Sequence, residues 1–272
     1  MTALLEQLGV PGDARLLIVT CEGLGVSHAA NAGVYSALRV GIGTTAGVMM
    51  PSPWARHAAA NHLPGDDIGV QLTLNAEHEL YRWGPLTLAP SLLDGDGGLP
   101  RTTSDLWDHA DVEEVRRECR AQLERATQWG FDVTHLGSHL HALALRPEFF
   151  DVYVELAVDH GLPVRLPPAA KERLAGFPYR RLAAEEGVLC ADHVLYARSR
   201  PQLVAKLADL PAGVTELVLH PAVDSPELRA YAPDWPGQVE DHLLATSDAQ
   251  VNELLGGARR IGYAALRDAQ RA

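Results

Sequence analysis

Polar side chains that could move protons or bind a substrate follow the apolar runs of this chain. Six of them stand in or just after short apolar runs that are typical of buried strands: Glu22, Gln71, His139, His141, Arg165 and His220. A carboxylate and imidazoles are the groups that act as general acids and bases near neutral pH. This set therefore predicts proton-transfer chemistry on a bound small molecule.

Two roles divide these residues. We assign catalysis to Glu22, His139 and His220. His139 and His141 stand two residues apart, so in an extended strand both would point to the same side. We assign substrate binding to five further residues: Gln71, Tyr81, Trp83, His141 and Arg165.

The cysteines offer a competing chemistry. Cys21 could be a thiol nucleophile served by a histidine. Strand alternation, however, points Cys21 away from the side that Glu22 occupies, which favours a small buried cysteine. The three cysteines contain no C-x-x-C pair, which argues against a disulfide framework or a structural zinc site and fits a reducing cytoplasm.

The elements that must position these side chains alternate between strand and helix. We predict strands over residues 16–20, 44–49, 68–74, 133–138, 163–166, 188–191, 216–220 and 260–263. Between them lie helical patterns, the clearest over 112–130, with Asp111 as its N-terminal cap. Seven to eight mostly parallel strands with intervening helices predict an α/β fold, a regular or irregular (β/α) barrel whose site lies in the loops after the strands.

One segment breaks this alternation. Residues 75–110 are rich in Gly, Pro and Asp and show no helical or strand period. A loop of this length inside a domain is usually functional or disordered. Its aromatic residues Tyr81, Trp83 and Trp107 favour an ordered loop that covers the substrate. We find no repeat and no low-complexity tract, so residues 1–272 are predicted to form a single domain.

Composition limits the partners. The net charge of −12 disfavours nucleic acid and anionic membranes, because phosphates would be repelled. No apolar run approaches the length of a membrane span, and the N-terminal residues lack a basic region and a cleavage-like site. We expect a cytoplasmic protein whose partner is a small molecule.

Several motifs, in order along the chain, resemble the YdjC-like (ChbG/HpnK) carbohydrate deacetylase family. They are "LIVTCEGLGVSHAANAG", "GTTAGVMMPSPWA", "GVQLTL", "YRWGP", "PSLLD", "THLGSH" and "TELVLHP", followed by "DW" at 234–235. The resemblance spans nearly the whole chain. It implies a (β/α) barrel-like fold and metal-dependent removal of an N-acetyl group from an amino sugar, and it makes a homodimer unsurprising.

The residues at the family's metal site differ in this chain. The resemblance implies a general base at Glu22 and an assisting histidine at His220. It implies metal ligands at positions 23, 71 and 139, but positions 23 and 71 carry Gly23 and Gln71. A glycine offers no side-chain ligand, and an amide oxygen is a poor ligand for a transition metal. Gly137 stands where the family has an aspartate.

Three functions stay open at this point. The first is a divergent hydrolase that acts on an amide or ester bond of a sugar-like or other acylated compound without metal, by acid–base chemistry of Glu22, His139 and His220. The second is a zinc- or magnesium-dependent N-acetyl-sugar deacetylase with rearranged ligands, which would be Glu22, His139 and His141. The third is a non-catalytic relative that binds a small ligand. The first of these functions, the divergent hydrolase, predicts that no cofactor is bound.

Overall fold

A sheet of parallel strands lies at the centre of the computed structural model, which describes residues 2–196, 199–255 and 258–272. Within those residues the strands are β1 (Arg15–Leu24), β2 (Thr45–Val48), β3 (Ile68–Leu72), β4 (Val133–Ser138), β5 (His193–Tyr196), β6 (Gly213–Leu219) and β7 (Arg259–Arg260). Their order is β4-β3-β2-β1-β6-β5, and β7 pairs with the beginning of β1. The predicted α/β fold with a mostly parallel sheet of seven to eight strands is confirmed.

Helices connect and flank the strands. In chain order they are α1 (Ala3–Gln7), α2 (His28–Val40), α3 (Ala55–Asn61), α4 (Thr103–His109), α5 (Val112–Gln128), α6 (Pro147–His160), α7 (Glu172–Ala175), α8 (Tyr179–Glu185), α9 (Arg200–Ala208), α10 (Pro226–Tyr231), α11 (Trp235–Ser247), α12 (Ala249–Leu255) and α13 (Tyr263–Arg271). The predicted cap of α5 is present, because the Asp111 carboxylate accepts hydrogen bonds from the amides of Glu113 and Glu114. The described residues also form three short 3-10 helices: Pro90–Leu92, His139–His141 and Ala169–Lys171.

The strands are nearly continuous apolar runs because helices cover the sheet. Every described residue of β2, β3 and β6 is buried. Parallel pairing brings the carboxyl ends of the strands to one edge. β1 pairs with β2 through Thr20 and Thr45, and β3 pairs with β4 through Gln71 and Gly137. The polar residues that end these strands therefore face a common space.

Three predicted strands differ from the observed structure. Of the strand predicted over 260–263, only Arg260 lies in a strand, β7, and Tyr263 already begins α13. Residues 188–191 form no strand, and the strand lies a few residues later, at β5. Val188 and Ala191 are buried, so their apolar character reflects packing and not strand pairing. Residues 163–166 make a single bridge, between Val164 and Leu136, because the flanking prolines cannot donate to a ladder.

These short contacts continue the sheet beyond β4. The Val164 amide donates to the Leu189 carbonyl at 2.9 Å, and Leu189 lies just before β5, the opposite edge strand. The strands thus curve around toward each other without a continuous hydrogen-bond ladder.

The segment 75–110 is held by internal polar contacts and contains two helical pieces, Pro90–Leu92 and α4. Arg82 binds the Asp94 carboxylate and two backbone carbonyls. From α5, Glu118 accepts hydrogen bonds from the amides of Leu86 and Thr87, at 2.9 Å each. These contacts fix the segment against the domain, next to the carboxyl ends of the strands.

Candidate active site

A cavity of about 920 Å³ opens at the carboxyl ends of the strands, where sites form in parallel α/β proteins. Its walls come from the strand ends, from the segment 75–110 and from the region around α10. Among its lining residues are Glu22, Gln71, Glu77, His78, His139, His141, Lys171, Tyr196, His220, Tyr231, Asp234 and Gln238. Five of the six strand-end residues of the sequence analysis thus reach one cavity; the sixth, Arg165, lies behind its wall.

Arg165 joins two carboxylates in the interior. Its Nη2 lies 2.5 Å from the Glu22 carboxylate, and its Nε binds Glu216, which is 1% exposed. Glu216 also accepts hydrogen bonds from the hydroxyls of Thr20 at 2.7 Å and Tyr263 at 3.1 Å. A buried charge needs such partners to be tolerated. Arg165 is therefore a structural cation that positions Glu22.

Glu22 is paired on both of its oxygens. One faces Arg165, and the other lies 3.3 Å from Nε2 of His220. Burial by itself would raise the pKa of Glu22, but the charge of Arg165 and the bond to His220 outweigh burial and hold it well below its usual range. Glu22 is thus an ionised carboxylate at neutral pH.

His220 follows β6 and is half exposed to the cavity. Burial would lower its pKa, but the hydrogen bond and charge of Glu22, with Asp241 behind, raise the pKa of His220 above its usual value. Asp241 also accepts a hydrogen bond from the His220 amide at 2.7 Å. The contact with Glu22 therefore favours the charged form of the His220 imidazole.

His139 forms the second carboxylate–histidine pair. Its Nε2 lies 2.9 Å from the Glu77 carboxylate, which comes from the segment 75–110. Burial would raise the pKa of Glu77, yet the nearby His139 lowers it to about 2. Glu77 therefore stays ionised and orients the ring of His139.

His141 stands on a strained turn. Leu140 and His141 have φ angles of 51° and 57°, in the left-handed region that non-glycine residues rarely adopt. The turn removes the strand alternation, so the two histidines do not share a strand face, although both line the cavity. Nε2 of His141 lies 3.2 Å from the Tyr196 hydroxyl, and burial lowers the pKa of His141 to about 4. His141 is a neutral imidazole at physiological pH.

The two aromatic residues predicted to bind substrate lie behind the cavity wall. Trp83 is 5% exposed, and its indole N–H donates to the Asn75 carbonyl. Tyr81 stacks on Tyr231 with ring centroids 4.7 Å apart, and its hydroxyl donates to the Val26 carbonyl. Tyr231 lines the cavity and Tyr81 supports it.

Sequence reasoning missed Glu216, Glu77 and Tyr196. Glu216 carried a usable signal, because a carboxylate inside the apolar run "VTELVL" must have a buried partner. Glu77 and Tyr196 gave no such signal, since a polar loop and a strand end are ordinary places for them.

Cys21 is fully buried, and burial raises its pKa to about 12, which agrees with a structural thiol. Among the described residues, every helix is too short or too polar to span a lipid bilayer.

Comparisons with known proteins agree with this architecture. The model of the family described as YdjC-like protein matches residues 16–268. The chain belongs to the YdjC-like family. A "Carbohydrate deacetylase" of Thermus thermophilus is 36% identical, over 98% of each chain. A "Chitooligosaccharide deacetylase" of Yersinia pestis is 31% identical over 56% of this chain and 59% of that one.

A solved structure shows the same fold. It is that of a proposed cellobiose-phosphate cleavage protein from Enterococcus faecalis, with a TM-score of 0.81 and 23% identity, over 93% of this chain and 99% of that one. At this identity the likeness concerns the fold alone.

The YdjC-like family resemblance implies a divalent metal, and the donors present here do not fit one. Gly23 offers no side chain, and Oε1 of Gln71 already accepts a hydrogen bond from Arg165 at 2.9 Å. The Arg165 guanidinium lies against Glu22 and would repel a divalent cation at that carboxylate. No group of three or more His, Cys, Asp or Glu side chains with metal-binding geometry is found in the described part of the chain. The set Glu22, His139 and His141 is therefore not arranged as a metal site.

Proposed function

We propose that this chain hydrolyses an amide or ester bond of an acylated, sugar-like small molecule by acid–base chemistry, without a metal. The observation that carries the proposal is the contact of His220 with Glu22, backed by Arg165 and open to the cavity. A buried cation and a carboxylate fix the histidine and favour its charged form. The printed names of the YdjC-like relatives support a carbohydrate substrate.

His220 supplies the proton in this scheme. As an imidazolium it donates to the nitrogen or oxygen of the departing group, and Glu22 stabilises and orients it throughout. The family resemblance implies a general base at Glu22, but a carboxylate with a strongly lowered pKa and two bound partners is a weak base. It acts here as the positioning carboxylate of His220.

His139 takes the proton from water. Glu77 accepts the Nε2 hydrogen, which leaves Nδ1 as the basic nitrogen. The activated water oxygen bonds to the acyl carbon, the bond to the departing group breaks, and His220 protonates that group. The products are a carboxylic acid and an amine or alcohol, and the proton on His139 returns through solvent to His220.

The test is turnover of N-acetylated chitooligosaccharides and O-acetylated sugars, with release of acetate measured with and without EDTA. We expect His220→Ala and His139→Ala to lower kcat by about 10²–10⁴-fold, the usual contribution of one acid or base. His109→Ala is the matched control, because that side chain is 69% exposed and outside the cavity wall. Full activity in both cavity variants overturns the acid–base scheme.

Two outcomes of this turnover assay would favour one of the other two functions. Activity that disappears with EDTA and returns with zinc would support the metal-dependent deacetylase. Binding of the sugars without turnover would support a non-catalytic binding protein. The non-catalytic binding protein has one observation in its favour: both oxygens of Glu22 are occupied, which leaves no free carboxylate base at the end of β1.

The partners and compartment predicted from the sequence stay proposals. We propose a small-molecule substrate, no nucleic acid or membrane partner, and a cytoplasmic location. A homodimer is proposed from the family resemblance alone.

A further inference from the structure

We propose that Gln71 is the residue that binds the acyl oxygen of the substrate, through an amide N–H held toward the cavity by Arg165. This inference rests on the proposed hydrolase function and assigns the group that stabilises the negative charge formed on that oxygen.

Arg165 decides which way the Gln71 amide points. Oε1 accepts a hydrogen bond from Nη1 of Arg165 at 2.9 Å. A guanidinium has donors only, so the reverse orientation would set the amide N–H₂ against another donor. Arg165 is itself fixed by Glu22 and Glu216. The orientation of the Gln71 amide thus follows from the position of Arg165, which its two ion pairs fix.

The other end of the amide faces the cavity. Gln71 is 3% exposed and lines the cavity wall. Among the residues that the structure describes, Nε2 meets no hydrogen-bond acceptor, and it is absent from the fully enclosed polar atoms that lack a partner. A largely buried N–H₂ group that borders a cavity without a partner is suited to a ligand oxygen.

Glycines on the neighbouring strands leave room for this side chain. A Cβ at Gly137, its register partner on β4, would lie inside van der Waals contact of Oε1. A Cβ at Gly47 on β2 would lie 3.0 Å from Oε1 and 3.2 Å from the Gln71 Cβ. Even an alanine at 137 would push the amide away from Arg165. The space between Gly47 and Gly137 therefore fits a glutamine side chain that is turned toward Arg165.

The chemistry follows from this position. During water attack the acyl oxygen gains negative charge, and a preorganised donor in a site of low dielectric constant stabilises it. The Arg165 charge draws electron density from Oε1 and makes the Nε2 hydrogens stronger donors. Gln71 would hold the acyl oxygen while His139 and His220, which line the same cavity, move the protons.

Substitution at position 71 tests the inference with N,N′-diacetylchitobiose as the probe. Gln71→Glu keeps the shape and the partner Arg165 but removes both donors, and Gln71→Met removes all hydrogen bonding. We expect kcat to fall about 10²–10³-fold in both, as for loss of one oxyanion donor, with a smaller rise in KM from the lost hydrogen bond to the bound acyl oxygen. Gly137→Ala, which leaves position 71 intact, should lower kcat in the same direction.

Gln122→Met is the matched control. Gln122 is also fully buried and bonds the backbone of Thr73, but it lies on α5 away from the cavity. The Gln122→Met variant should be less stable than the wild type and keep the kcat of the wild type.

The outcomes separate the two proposals. Wild-type kcat in Gln71→Glu, or a loss of kcat in Gln122→Met as large as in the Gln71 variants, overturns the role of Gln71. If wild type binds the probe without turnover, the hydrolase proposal fails. The role of Gln71 then stands only if its variants lose the preference for diacetylchitobiose over deacetylated chitobiose in calorimetry. If wild type neither binds nor hydrolyses the probe, both proposals are overturned for this substrate class.

Discussion

Replacing Arg165 by methionine should destabilise the protein strongly, because it leaves two carboxylates in the interior without their cation. Glu216 is 1% exposed, so the penalty for its uncompensated charge cannot be relieved by solvent. Breaking a buried pair by removing one partner costs about 3–5 kcal/mol. Since 1 kcal/mol shifts the melting temperature of a large domain by about 2–4 °C, we expect a fall of about 6–20 °C.

The pH dependence of this loss has a defined sign. In the wild type the pKa of Glu22 is lowered, so its contribution to stability is complete above the usual glutamate pKa of about 4.3 and is lost as pH falls through the lower folded value. Without Arg165, burial favours the neutral form of Glu22, and its charge costs free energy at higher pH. The difference in unfolding free energy between wild type and variant should therefore be largest near neutral pH and shrink toward pH 4.

Urea unfolding followed by tryptophan fluorescence measures this difference, since the chain has 5 tryptophans. Arg181→Met is the control, because Arg181 pairs with Glu185 on the surface at 3.6 Å and should lose at most about 0.5 kcal/mol. The double variant Arg165→Met/Glu216→Gln should recover part of the loss. A loss below about 1 kcal/mol at pH 7, or one that is constant between pH 4 and 8, would refute the reasoning.

Three further predictions concern the cavity. Glu22→Gln should shift the alkaline limb of the kcat/KM profile to lower pH, because Glu22 is the main group that raises the pKa of His220; an unmoved limb contradicts the pairing. Glu77→Gln should lower kcat by up to about 10²-fold, since His139 loses the carboxylate that orients its ring, and wild-type kcat would contradict the role of His139 as base. Cys21 should resist iodoacetamide in the native protein and react after denaturation, as mass spectrometry can show, because it is fully buried with a raised pKa; rapid native alkylation would reopen the thiol mechanism.

The sequence by itself was sufficient for the α/β class, most of the strands and the gathering of strand-end residues at one cavity. Apolar runs such as those at 16–20 and 133–138 predict buried parallel strands, and parallel strands place their carboxyl ends on one edge. The motifs around these runs also led to the family, which the comparisons show. The local sequence pattern wrongly predicted a strand at 188–191, where apolar residues are buried without a strand partner.

Tertiary structure alone decided what each polar group can do. Glu22 looks the same in sequence whether it is a free base or a paired carboxylate. Only the approach of Arg165 and His220, from distant parts of the chain, makes it a paired carboxylate. The orientation of Gln71 depends in the same way on Arg165, 94 residues away. Protonation states and hydrogen-bond directions depend on distances between groups far apart in the chain, and a sequence without its fold does not contain those distances.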